Sequence, residues 1–476
     1  MAEPVTGRTA GIGYRFEPLP RGGLMLGLSA GQLGLVGASV LLAFVLVATL
    51  RGAPGFIAAA TSVCLGLASC RSIAGRGPLQ WAGIASSFVT RRKVRVAAPP
   101  GAPCGLATRV SWLSLPAKTF VDGTHLAELP AAFDQAPIGV LLDERSGTAA
   151  AVLRTRSGAF CLLDAEEKER RLASWAAVLE SLANQSSSLV RLQWCQRSLR
   201  GNGSELRDHL RSSGCSSSPA LQGHEALLES AEARSWCHEA LVVVSVRAQV
   251  RRRRLQEHAE EALLNEVASL RSQLHSAGIA CDGPLDAAST AVAVCAPLFP
   301  HLDRRSSAYP WPLATEEHWA EIRADGYWHR TYWVAEWPRS RVGPDFLSPL
   351  LVGRGRRCFS LVMAPVPPER AARDAESSRT SQLADAQLRA QGGFLETARQ
   401  RRRAEAVEGR EVELADGRGT FRFAGYVAVS DVGIGDLERA AAELERAAAA
   451  ARLCLRPLYG QQKEALSWVL PFGRGL

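Results

Sequence analysis

Two uncharged runs near the start of the chain restrict its fold more than any other feature. From Leu24 to Leu50 no side chain is charged (LMLGLSAGQLGLVGASVLLAFVLVATL). After Arg51 and a Gly-Ala-Pro turn, a second uncharged run extends from Gly52 to Cys70. A bilayer core of about 30 Å needs roughly 20 apolar residues in a helix, and only helices or closed barrels satisfy their backbone inside lipid. The runs predict a transmembrane helical hairpin turning at Arg51–Pro54, with a buried hairpin in a soluble core as the alternative. Arg8, Arg15 and Arg21 precede the hairpin, and Arg71, Arg76, Arg91, Arg92, Lys93 and Arg95 follow it. Basic flanks stay cytoplasmic. The expectation is therefore a multi-pass protein of the inner (plasma) membrane, with two helices, both termini cytoplasmic, and anionic lipid head groups at its basic flanks. Twenty-three mixed residues precede the first run, which is also too long for a cleaved signal peptide.

The formal net charge of +9 follows largely from those flanks. Residues 1–96 hold ten Lys and Arg against Glu3 and Glu17, which leaves about +1 for residues 97–476. Such a balance makes direct binding of nucleic acid a weak reading. The eleven cysteines show no CxxC spacing, and several sit in apolar runs such as Val292–Cys295. Buried reduced thiols are expected rather than disulfides or a zinc site.

In chain order, residues 1–23 read as a polar arm and 24–96 as the hairpin with its basic juxtamembrane segment. Within the latter, Leu79–Val89 reads as an interfacial helix. Ala97–Pro103 is a linker of Pro, Ala and Gly. Beyond it an α+β pattern begins. Strands are expected at Gly139–Leu142, Thr148–Thr155, Ala159–Leu163, Ser188–Arg197, Ala240–Val246 and Thr290–Pro297. Helices are expected at Ala165–Ala183, His224–Arg234 and Arg251–His275. After residue 300 come strands at Gly326–Trp337, Cys358–Val366, Thr420–Ser430 and Leu453–Leu458. A short helix falls within Val342–Leu351, a charged helical hairpin (or one long broken helix) at about 369–409 is interrupted by Gly392-Gly393, a helix spans Asp436–Ala450, and Ala465–Pro471 is a last apolar piece. Helices on an antiparallel sheet in this order describe residues 97–300 and 301–476 as two ferredoxin-like lobes or as one continued sheet.

No catalytic, cofactor-binding or metal-binding residue is assigned. There is no G-x-x-x-x-G-K-[ST] to cradle phosphates. Gly27–Gly31 matches G-x-S-x-G, but that elbow needs a strand before its serine, and here a helix of the hairpin opens instead. His318 and His329 beside Glu316, Glu317 and Glu321 match no ligand spacing. Arg251–Arg254 and Arg399–Arg403 read first as solvated helix faces. Five of the eleven tryptophans fall between Trp311 and Trp337, where few basic residues interleave them, so core or partner contact outweighs base stacking. Asn184 and Asn202 open glycosylation-type triplets.

Several motifs carry a family resemblance. They are Gly27-Leu-Ser-Ala-Gly-Gln32, Tyr332-Trp-Val-Ala-Glu-Trp-Pro338, Val342-Gly-Pro-Asp-Phe-Leu347, Pro365-Val-Pro-Pro368, Phe394-Leu-Glu-Thr-Ala-Arg399, Gly425-Tyr-Val427, and Leu458-Tyr-Gly-Gln-Gln462 through Leu470-Pro471 to Gly473–Leu476. Together they resemble an actinobacterial family of conjugation-associated, type IV secretion-like membrane proteins. In that family a PrgI-like two-helix segment joins a domain similar to the non-catalytic N-terminal part of the VirB-type conjugation ATPase. The resemblance implies a non-enzymatic inner-membrane scaffold that docks a separately encoded hexameric ATPase, with other membrane components as partners and homo-oligomerisation. The alternatives are an EccE-like membrane component of a type VII secretion system and, from another class, a membrane-tethered enzyme or DNA receptor.

Overall fold

A computed structural model describes residues 16, 30–50, 52–68, 76–91, 95–96, 124–133, 136–143, 146–156, 160–184, 188–200, 227, 236–248, 257–298, 312, 314–391 and 397–476. Its helices are α1 (Ala30–Thr49), α2 (Ala53–Ala68), α3 (Pro78–Arg91), α4 (Ala165–Asn184), α5 (Glu257–Ser276), α6 (Ala287–Cys295), α7 (Ser348–Leu351), α8 (Pro368–Gln391), α9 (Ala398–Ala415), α10 (Ile434–Ala450) and α11 (Gln462–Val469). Its strands are β1 (Arg95–Val96), β2 (Thr124–Phe133), β3 (Ala136–Asp143), β4 (Thr148–Arg156), β5 (Leu189–Arg200), β6 (Trp236–Arg247), β7 (Ala280–Pro284), β8 (Ala314–Glu317), β9 (Ile322–Ala324), β10 (Tyr327–Glu336), β11 (Arg357–Val366), β12 (Thr420–Asp431) and β13 (Cys454–Pro457).

All thirteen described strands belong to one antiparallel sheet, ordered β1-β8-β9-β10-β12-β11-β5-β6-β4-β3-β2, with β13 on β10 and β7 on β4. Two halves of it repeat one another. The order β7-β4-β6-β5 in the first half and β13-β10-β12-β11 in the second are both the order of a split βαβ unit. The outer edge of β4 is shared between β3, over Thr148–Ala151, and β7, over Leu153–Arg156. The outer edge of β10 is shared in the same way between β9 and β13. A register shift falls between Leu153 and Thr155 in one half and between Val334 and Glu336 in the other. The halves meet where β5 pairs β11, from Ser198 opposite Arg357 to Leu192 opposite Met363. Residues 97–300 and 301–476 are thus joined by an unbroken hydrogen-bond ladder.

The core lies on both faces of the sheet. On one face α6 and α11 cover a cluster drawn from both halves, including Val152, Leu241, Val362, Leu466 and Phe472. On the other face α4 and α5 cover Leu153, Leu192 and Val244, while α7 and α10 cover Tyr332, Val427 and Val429. Strands buried on both faces have no polar side to show, which is why β4 opens on TAAAVL and β6 carries LVVVSV.

The N-terminal hairpin corrects the first expectation. The uncharged runs yield helices Ala30–Thr49 and Ala53–Ala68, and among the described residues no helix is long and apolar enough to cross a membrane. The sixteen residues of α2 rise about 24 Å, short of a bilayer core of about 30 Å. In α1 three glycines and Gln32 precede the unbroken apolar stretch Val40–Ala48. The transmembrane segment and the multi-pass inner-membrane placement with cytoplasmic termini are both withdrawn on this finding. What stands is a helical hairpin closed on small residues: Ser62 Oγ donates to Ser39 O at 3.0 Å, and a Cβ on Gly66 would lie 2.0 Å from Ser39 Oγ. Its outer surface exposes Leu41, Phe44, Phe56 and Ile57.

Helix α3, expected at a lipid interface, sets its aromatic face on protein. Phe88 is buried with its ring 5.2 Å from Trp319, and Trp81 lies 6.1 Å from Trp319 and 6.4 Å from Tyr459. Two expected strands are not strands. Ala159–Leu163 contains a single 3₁₀ turn, Phe160–Leu162, and Asp164 Oδ1 then accepts Glu167 N–H at the start of α4. Thr290–Pro297 falls largely on helix α6, because Asp286 caps it by accepting Ser289 N–H at 2.6 Å and the sheet below needs an apolar lid. The linker Ala97–Pro103, most of His224–Arg234, Arg251–Arg254 and Trp311 lie outside the described residues, as does the N-terminal arm apart from Phe16.

Candidate functional site

The histidines and carboxylates that suggest a metal site are each engaged elsewhere. Glu317 Oε1 accepts Lys463 N–H at 3.0 Å, Glu321 pairs with Arg330 at 3.2 Å, and His318 Nε2 lies 3.5 Å from Glu316. His329 is wholly buried and shares a 2.7 Å hydrogen bond with Ser430 Oγ. Among the described residues no group of three or more His, Cys, Asp or Glu is arranged to hold a metal ion. Burial lowers the His329 pKa to about 3. The folded state keeps this imidazole neutral while the unfolded chain, at about 6.5, takes up a proton. Stability is therefore full above about pH 6.5 and falls by about 1.4 kcal/mol per pH unit between there and about pH 3. Acid titration of His329→Gln should show a shallower loss over that window, and a parallel loss in both proteins would refute the assignment.

Burial also removes the core cysteines from chemistry. Cys195 and Cys358 donate to Val469 O at 3.7 and 3.5 Å, and desolvation pushes the Cys358 and Cys295 thiols up to about 12. A protonated thiol is a poor nucleophile. Buried in this way, Cys195, Cys295 and Cys358 stand as thiols.

The concave feature that collects charge lies at the far end of the second half. It encloses about 620 Å³ and is lined by Glu336, Arg339, Ser340, Arg341, Arg402 and Arg452, together with Trp337, Leu453 and Cys454. Each part has a structural origin. Glu336 ends β10, and Pro338 turns the chain so that Arg339–Arg341 face outward. Thr397 starts α9 with a capping box, accepting Gln400 N–H at 3.4 Å while Gln400 Oε1 accepts Thr397 N–H at 2.7 Å, and this places Arg402 in the second turn. Arg452 follows α10. It is held there by Ala451 N–H to Ala447 O, Arg452 N–H to Ala449 O and Leu453 N–H to Ala448 O.

The same three bonds end α5, from Ala277 to Gln273, Gly278 to His275 and Ile279 to Leu274. The left-handed position is Gly278 in the first half, at φ 72°, and Arg452 in the second, at φ 57°. A residue with a Cβ loses roughly 1–2 kcal/mol there. The chain carries that strain where a glycine would relieve it, and the Arg452 side chain is what it keeps. Nη1 of Arg452 donates to Ser340 Oγ at 2.6 Å and to Arg341 O at 3.5 Å, both neutral acceptors. Glu336 is taken by Arg339 at 2.5 Å. Among the described residues no carboxylate pairs with Arg341, Arg402 or Arg452.

Of the features singled out in the sequence, the run Arg399–Arg403 contributes Arg402 to this cleft and the Trp-rich stretch contributes Trp337. Within the Trp-rich stretch, Trp337 is packed under Phe16 at 5.2 Å and against Phe423 at 5.5 Å, and Trp319 holds α3. Asn184 donates to Gly417 O at 2.9 Å, while Asn202 lies outside the described residues. Of Gly27–Gly31 only Ala30 and Gly31 are described, and they begin α1. Arg339, Arg341 and Arg452 were not legible as a group, because they are isolated arginines on two turns. No protein-family model and no curated protein matches the chain, so the terms secretion and conjugation gain no support from relatives.

Proposed function

We propose that this chain is a non-enzymatic scaffold that docks a separately encoded hexameric ATPase. One observation carries the reading. The hairpin α8–α9 leaves the sheet between β11 and β12, and from Glu376 to Ala424 no described residue is buried. At its root Ala371 and Ala375 are buried against the body, and farther out Arg379 bridges to Glu411 at 2.6 Å, so the two helices brace each other. Beyond Ala375 this charged, self-braced arm has no buried residue among those described, which leaves it open to contact with a partner. The class of the partner comes from the family resemblance described above. The absence of a phosphate-cradling G-x-x-x-x-G-K-[ST] in the sequence agrees with an ATPase supplied by another chain.

The test is purification of the tagged full chain from its own host, with mass spectrometry of what accompanies it. A stoichiometric P-loop ATPase is the expected result. A chain that arrives alone, or that hydrolyses ATP at ordinary turnover when freed of other ATPases, overturns the reading.

A further inference from the structure

We propose that the arginine-lined cleft at the end of β10 binds a short acidic segment of a protein partner, with Arg341, Arg402 and Arg452 taking its carboxylates. The inference goes beyond the ATPase reading. It holds for any partner that presents such a segment, and its failure leaves that reading untouched.

Three observations converge on it. Four guanidiniums line one cleft with a single carboxylate, Glu336, which Arg339 already occupies. Guanidinium is weakly hydrated, and its fork matches a carboxylate with two parallel N–H donors. Three such groups facing neutral acceptors or solvent form a site with charge to spare. Arg452 stands at positive φ where the other half of the sheet uses Gly278, so backbone geometry does not explain the arginine and its side chain does. The cleft, at about 620 Å³, is of a size to take a few residues of extended peptide.

Nucleic acid fits less well. A phosphate backbone needs basic groups along its path and aromatic faces for its bases. Basic and acidic residues alternate on the flanking helices: Arg399, Arg401 and Arg403 on α9 are followed by Glu405 and Glu408, and α10 carries Glu438, Glu443 and Glu445. Trp337 is only 9% exposed. A segment with two or three carboxylates needs nothing beyond the cleft itself.

The experiment is a fluorescence-anisotropy titration of the full chain with a fluorescein-labelled Gly-Asp-Glu-Asp-Glu-Gly peptide. It is run at about 50 mM salt and repeated at about 200 mM, where binding between charges weakens. Saturable binding is expected, with none for the Gly-Asn-Gln-Asn-Gln-Gly control. The informative variant is Arg452→Gly, which removes a guanidinium while suiting the backbone. Its affinity should fall about tenfold with a thermal midpoint equal to or above the parent's. Arg341→Gln with Arg402→Gln should lose as much, and Arg446→Gln, exposed on α10 outside the cleft, should lose nothing. No saturable binding, or equal binding by Arg452→Gly, overturns the proposal. So does displacement of the peptide by about 1 mM inorganic phosphate, which would assign the cleft to free phosphate. Tighter binding of a labelled single-stranded oligonucleotide that is lost in the same variants would assign it to nucleic acid.

Discussion

Arg197→Met is expected to cost about 3–5 kcal/mol of stability, seen as a lower denaturant midpoint with an unchanged slope. Arg197 sits in the middle of the sheet with its side chain 3% exposed, and Glu239 opposite it is 9% exposed. Nε of Arg197 donates to Glu239 Oε2 at 2.7 Å, Nη2 reaches the same oxygen, and Nη1 donates to Ala293 O on α6. One guanidinium therefore joins β5, β6 and the helix that covers them. Removing it leaves a carboxylate away from water and a helix carbonyl without its donor, and the desolvation of both is the source of the loss. Arg197→Met combined with Glu239→Leu should recover most of it, because the pair is then replaced by apolar volume. If the double variant is as unstable as the single one, the ion pair is not the cause.

Gln193→Leu should lose a comparable amount, about 3–5 kcal/mol, and the loss should have a location. Gln193 is fully buried where the two halves join. Its two Nε2 hydrogens are shared among Ser360 Oγ at 2.8 Å, Leu470 O at 2.9 Å and Trp468 O at 3.1 Å, and its Oε1 accepts Gly473 N–H at 2.7 Å. Leucine keeps the volume and satisfies none of these groups, each of which costs about 1–3 kcal/mol when buried and unpaired. Leu470–Gly473 should gain hydrogen exchange well before the sheet does. The C-terminal residues keep other holds, among them Arg474 to Asp143 at 2.6 Å, Arg191 to Gly473 O at 3.2 Å and to Leu476 O at 3.3 Å, and Tyr426 OH to Gly475 O, so the segment should loosen without global unfolding. Uniform exchange through β5 and β11 instead would show that Gln193 supports the sheet rather than the tail.

The sequence by itself determined most elements and one broad class. The alternation of Tyr327–Glu336 and the apolar runs of Thr148–Arg156 and Trp236–Arg247 mark strands, and the break at Gly392-Gly393 marks a two-helix arm. These signals are local: side-chain period, caps and turn residues act within a few positions. Local pattern failed where coverage by distant residues decided the outcome. Val292–Cys295 has β-branched residues enough for a strand, yet a sheet whose lower face lacked a lid drew it into α6. The runs at Leu24–Leu50 and Gly52–Cys70 fit a membrane span by composition, but among the described residues no helix is long and apolar enough to cross a membrane.

The site belonged entirely to tertiary structure. Arg339 and Arg341 leave one turn, Arg402 lies on the projecting arm and Arg452 lies in the turn after α10. Nothing in their spacing joins them. They converge because β13 returns beside β10 after α10, and because the arm enters between β11 and β12. The order of elements suggested two similar lobes, but the pairing that sets the strand order and joins them into one sheet was not legible, since pairing partners lie far apart in the chain. It is that order which sets Gly278 against Arg452 and singles out the arginine.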